Sequence, residues 1–134
     1  AVGIALSGCQ TTTEKEAYVN QEGVLQLDNG EKWTANDRTT QGVDKLIAQV
    51  EAFKELNAAD NLDSYNLLGN GLKITMDAII KNCDMKGPAH DELHDFILPI
   101  IGDTKKLMGN DLDVAKVAFA KIDEQLKQYT TFFK

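Results

Sequence analysis

The sequence predicts an all-α fold: an up-down-up-down four-helix bundle preceded by an irregular or hairpin segment. Three observations carry that expectation. Beyond residue 38, apolar residues recur at three- and four-residue steps in four separate stretches, each giving one apolar stripe. The only prolines are Pro88 and Pro99, so long runs are free to be helical. Short polar connections separate the stretches, and helices joined by short loops pack antiparallel. One helix alone cannot bury such a stripe, whereas four can share a core.

Composition agrees. A chain of 134 residues is one domain with room for a real core. Apolar residues make up 43% and charged residues 26%, which argues against wholesale disorder. The net charge of −7, with no basic stripe, excludes nucleic acid as a natural partner. No apolar run approaches the roughly 20 residues that span a bilayer.

The chain divides into residues 1–9, residues 10–37 and residues 38–134. Its first part, Ala1-Val2-Gly3-Ile4-Ala5-Leu6-Ser7-Gly8-Cys9, is small and apolar. Leu6-Ser7-Gly8-Cys9 resembles the lipobox that closes a bacterial lipoprotein signal peptide. That resemblance implies a lipid on Cys9, a membrane anchor and a place facing the periplasm. The polar run from Gln10 to Glu16 then suits a tether. The plainer reading is an apolar tail that happens to hold a cysteine. If Cys9 carries lipid, Cys83 has no disulfide partner in its own chain. A lone thiol in an oxidising compartment is vulnerable unless buried, metal-bound or redox-active.

Within residues 17–37, Val24-Leu25-Gln26-Leu27 and Lys32-Trp33-Thr34 flank Asp28-Asn29-Gly30-Glu31. Asn-Gly tolerates positive φ at both positions, so a short hairpin or extended flap is expected. Trp33 is expected to pack on the end of the helical body. The first helix is expected from Thr40 to Asn57, capped by Thr39 or Asp37, with Val43, Leu46, Ile47, Val50 and Phe53 inward. The second is expected from Asp63 to Cys83, with Tyr65, Leu68, Leu72, Met76, Ile79 and Cys83 as its stripe and Ile80 alongside. Gly69 and Gly71 weaken it but invite a close neighbour. Gly87-Pro88 is punctuation, glycine ending one helix and proline opening the next. The third helix is expected from Pro88 to Met108 on Leu93, Phe96, Ile97, Ile100, Ile101 and Met108, with a kink expected at Pro99. Asn110 or Asp111 caps the fourth, whose stripe of Leu112, Ala115, Phe119, Ile122, Leu126, Tyr129 and Phe133 is the cleanest heptad pattern.

Chemistry concentrates between the second and third helices. Cys83, Met85 and both histidines, His90 and His94, fall within twelve positions. His90 and His94 are one helical turn apart, close enough to share a metal ion. Helical phase puts His90 within the apolar face and His94 at its rim, with Asp91, Glu92 and Asp95 pointing away. Cys83, Met85, His90 and His94 therefore form a candidate metal set. Thiolate and thioether favour copper, and imidazole suits copper, zinc and iron. Without a metal, His90 is a core histidine, His94 is solvated and Met85 fills a gap. A non-covalent haem on His90 or His94 with Met85 or Met76 is a competitor, and a redox-active Cys83 is another. Covalent haem is excluded because Cys-x-x-Cys-His is absent. His90-Asp91-Glu92-Leu93-His94 matches the metalloprotease pattern poorly, with aspartate directly after the first histidine and no third distal ligand evident. No phosphate-binding glycine loop or nucleophile elbow appears, so a binding protein is expected rather than an enzyme.

Cys83-Asp84-Met85-Lys86-Gly87-Pro88-Ala89-His90-Asp91-Glu92-Leu93-His94, with Lys32-Trp33-Thr34-Ala35-Asn36 and Thr39-Thr40-Gln41-Gly42 upstream, resembles a group of small exported bacterial proteins of unassigned function. The resemblance covers most of the chain beyond the lipobox. It implies a helical exported domain with this motif as its signature, and it carries no activity. A structural or partner-binding role, with the motif only locking a helical corner, is the rival expectation.

Overall fold

The computed structural model describes residues 17–19 and 24–134, so the expectations for Cys9, residues 1–9 and the tether lie outside the described residues. It is a four-helix bundle with a small hairpin at one end. The elements are β1 (Ala17–Val19), β2 (Val24–Gln26), α1 (Asp37–Glu55), α2 (Leu62–Asn82), α3 (Gly87–Leu107), α4 (Leu112–Lys127) and a short α5 (Tyr129–Phe132). Among the described residues no helix is long and apolar enough to cross a membrane.

Turn chemistry works at Asn29-Gly30, but with a different outcome from a simple hairpin. Both residues have positive φ, and Asp28 and Glu31 exchange backbone hydrogen bonds of 2.8 and 3.0 Å. Pairing stops there. The strand partner of β2 is β1, antiparallel with Tyr18 opposite Leu25. The segment after the turn pairs instead with the C-terminus: Trp33 N–H donates to the Phe132 carbonyl at 2.8 Å, and Ala35 N–H to Lys134 at 2.9 Å. Trp33 is half-buried against the core, its indole donating to the Gln26 carbonyl at 2.6 Å.

Asparagine and aspartate set the helix starts. Asn36, not Thr39 or Asp37, caps α1, its side chain accepting from Thr39 N–H at 2.8 Å. Asn61 caps α2 and Asp111 caps α4 in the same way, each at 3.1 Å. At its other end α3 is closed by Asn66 of α2, whose amide donates to the carbonyls of Leu107 at 2.6 Å and Gly109 at 3.0 Å. The core runs through all four helices, with Leu46, Leu72, Phe96, Ile100, Leu107 and Ile122 fully enclosed.

Two further departures have local causes. The heptad pattern of the last helix continues to Phe133, but the helix breaks at Gln128. Phe133 is extended, which lets the C-terminus pair with Trp33 and Ala35 while Tyr129 and Phe133 stack on one another near Phe96. On α2 the buried face is shifted from the expected stripe: Leu68 and Cys83 are half-buried and Ile80 is exposed, while Gly69 and Thr75 are buried. Gly69 lies against Leu107 and Met108, so small residues there let α3 approach closely.

Candidate functional site

The corner between α2 and α3 is built by an abrupt change of backbone. After Asn82 the chain leaves the helix with Cys83 extended, and Gly87 takes a left-handed φ of +74° before Pro88 opens α3. Glycine adopts that φ without the Cβ clash that burdens other residues. The reversal sets the end of α2 beside the first turns of α3.

A groove of 270 Å³ runs between these helices, lined by Ile79, Ile80, Cys83, His90, Leu93, His94, Ile97, Leu98 and Ile101. Cys83 and His90 are half-buried and His94 is exposed. Cys83 Sγ stands 3.8 Å from His90 Nδ1. The imidazoles of His90 and His94 lie 4.3 Å apart, centre to centre. Three of the four expected side chains are thus brought to one groove.

Met85 goes elsewhere. It does not line the groove, and its Sδ accepts from Thr39 Oγ1 at 3.9 Å, at the start of α1. Asp84 turns the same way and accepts a hydrogen bond from the Asn36 amide. Met76, the other thioether considered for haem, is enclosed in the core at 2% exposure and does not line the groove. Among the described residues no three His, Cys, Asp or Glu side chains already converge as a metal cage. What the groove holds is a Cys83–His90 pair with His94 one turn along.

Glu92 points away from the groove as helical phase requires, but it does not point to solvent. The residue is 9% exposed, and its carboxylate accepts from Gln26 N–H at 2.6 Å, fastening β2 to α3. Burial pushes its carboxyl above the ordinary range, Asp95 adds to the rise, and the Gln26 hydrogen bond opposes it. Sequence reading missed this clamp because its partner is a backbone amide 66 positions away.

Comparison with known proteins gives no match: no family model, curated protein or solved structure is similar to this chain. The class of protein is therefore set by the fold and the groove alone, a four-helix bundle with a thiol–imidazole pair at one corner.

Proposed function

We propose that this chain is a metal-binding lipoprotein, holding one copper or zinc ion through Cys83 and His90 with His94 as the third donor. The observation that carries the reading is the 3.8 Å approach of Cys83 Sγ to His90 Nδ1. An ion bonded to sulfur at about 2.3 Å and to imidazole at about 2.0–2.1 Å holds those donors about 3.6 Å apart at a tetrahedral angle and about 3.8 Å apart at a trigonal one. The pair is thus spaced as a bound ion needs it, and His94, its ring 4.3 Å from that of His90, is the nearest further imidazole on the groove. The four-residue set expected from the sequence narrows to these three because Met85 is engaged at Thr39.

The same reading places the protein on the periplasmic side of a membrane, tethered through lipid on Cys9. It acts by binding rather than by catalysis.

Metal analysis of protein purified without chelator tests the site. The expected result is about one equivalent in the wild type and a loss of most of it in His90→Ala/His94→Ala and in Cys83→Ser. Equal metal content in all three proteins would sink the proposal. Membrane fractionation of Cys9→Ala tests the anchor separately: release to the soluble fraction is expected, and unchanged membrane association refutes it.

A further inference from the structure

We infer that the outer face of α1 and α2 is the surface through which two copies of this chain pair, antiparallel, as a reversible homodimer. The face is separate from the Cys83–His90 pair, and the inference stands independently of the metal-binding reading.

The apolar surface comes first. Leu56, Leu67 and Ile74 are 66%, 73% and 69% exposed, more than any other large apolar side chain among the described residues. All three stand on this one face. Single apolar residues are ordinary on a surface, whereas a clustered set marks a contact. On α2, Leu67, Gly71, Ile74 and Ala78 recur at steps of four, three and four, the spacing by which helices dock along a seam. Gly71 keeps the surface low between the two large residues, so another helix can come close. Grooves flank the stripe on its α1 side, one of 310 Å³ beside Leu56 and Leu67 and one of 540 Å³ beside Ile74.

Charge selects the occupant. The groove at the Ile74 end is lined by Arg38 and Lys45 and by no carboxylate. The Leu67 end carries Asp63, one turn before Leu67. None of these three forms an ion pair with another described residue. A face with cations at one end and a carboxylate at the other is complementary to itself turned end for end, the operation of a two-fold axis. Levels along the helices agree. Gly42 lies against Ile79, and Gln49 accepts from Thr75 Oγ1 at 2.9 Å, so Lys45 is level with Met76 to Asp77 on α2. Setting Leu67 of one copy against the partner's Ile74 brings Asp63 level with the partner's Ala78. That is within about 3 Å, along the axis, of the partner's Lys45.

Area sets the strength. Helices of 19 and 21 residues, side by side, present a face about 30 Å by 20 Å. Pairing therefore buries about 1,200 Å² from the two copies together, the lower limit for a specific interface. Each copy also carries a net charge of −7, which repels the other at long range. The dimer is accordingly of micromolar affinity and not obligate.

Sedimentation velocity of the whole chain, unlipidated, reduced and with chelator present, tests the pairing over about 1–300 μM. A monomer–dimer equilibrium with Kd of about 1–100 μM is expected. Ile74→Asp places carboxylates in the apolar seam and is expected to stay monomeric throughout, with the circular dichroism of the wild type because the site is exposed. Lys45→Asp is expected to weaken pairing about tenfold or more, and adding Asp63→Lys to restore it, since the swap recreates opposite ends. Wild-type chain that is monomeric at every concentration overturns the inference. So does a dimer that Ile74→Asp leaves intact, which would join through another face, and so does a charge swap that restores nothing. Monomeric chain that sediments with anionic phospholipid vesicles, and loses that binding in Ile74→Asp, would give the face to a membrane and overturn the dimer as well.

Discussion

Gly42 is where a single methyl group most directly tests the packing of this bundle. A Cβ built there stands 2.3 Å from Ile79 Cγ1 and 2.9 Å from Ile79 Cδ1. No real contact is that short, so α1 and α2 must part or Ile79 must leave its rotamer. Ile79 is 4% exposed and has little room to retreat. Overpacking of this kind costs about 1–3 kcal/mol. Against it stands the helix-propensity gain of Gly→Ala, about 1 kcal/mol at most. The net expectation for Gly42→Ala is a loss of about 1 kcal/mol, from the difference of those two ranges. Gly102, inside α3, supplies the control, because a Cβ there meets nothing within 4 Å. Gly102→Ala should keep the propensity gain and stabilise by about 0.5–1 kcal/mol. Urea unfolding followed by far-ultraviolet circular dichroism reads both. With slopes of about 1–3 kcal/mol/M, the midpoints should move in opposite directions by a few tenths of a molar. If Gly42→Ala unfolds at or above the wild-type midpoint, the close α1–α2 contact is not as described.

Glu92→Gln keeps an acceptor for Gln26 N–H but removes the titrating carboxyl. Folding raises the Glu92 carboxyl through burial, so its contribution is most favourable below the unfolded carboxyl range, about 4.3, and is lost as pH rises through the raised folded value. The variant should therefore gain stability relative to wild type across that window, and parallel stability–pH curves would refute the assignment. Asn66→Ala strips the amide from the Leu107 and Gly109 carbonyls and should cost about 1 kcal/mol in the same urea assay. Ile122→Ala opens a cavity at a fully enclosed position and should cost about 2–5 kcal/mol, well above the loss at Asn66.

The helices were legible because their signal is local. Val43, Leu46, Val50 and Phe53 on α1, or Ala115, Ile122 and Leu126 on α4, repeat at helical spacing and are buried as that spacing demands. What escaped was non-local. The break at Gln128 follows from pairing between the last residues and Trp33–Ala35, about a hundred positions upstream. The partner of β2 could not be read from Asn29-Gly30, since the turn specifies only its own closure. The capping of α1 by Asn36 lay one residue outside the expected candidates, where Asn, Asp and Thr cluster and local chemistry does not rank them. At the site, helical phase placed His90, His94 and Glu92 on the right sides of α3. It could not foresee that the chain beyond Cys83 would turn Asp84 and Met85 toward α1 while Cys83 faces the groove.

That split divides the motif into two jobs. Asp84 and Met85 both reach the first turn of α1, through Asn36 and Thr39. Gly42, one turn further along α1, packs directly on Ile79 at the groove wall. The start of α1 therefore grips the corner from behind, leaving Cys83 and His90 facing each other across the groove. Rigidity in the supporting residues matters here, because a donor pair is useful to an ion only if its spacing is fixed before the ion arrives. On this argument Met85→Leu, which keeps the bulk but loses the sulfur, should leave metal content unchanged. Asp84→Ala, which frees the turn from Asn36, should weaken retention without touching a ligand. Metal analysis of the two variants side by side separates support from ligation: a loss confined to Met85→Leu would make the thioether a ligand after all and return the site to a four-donor set.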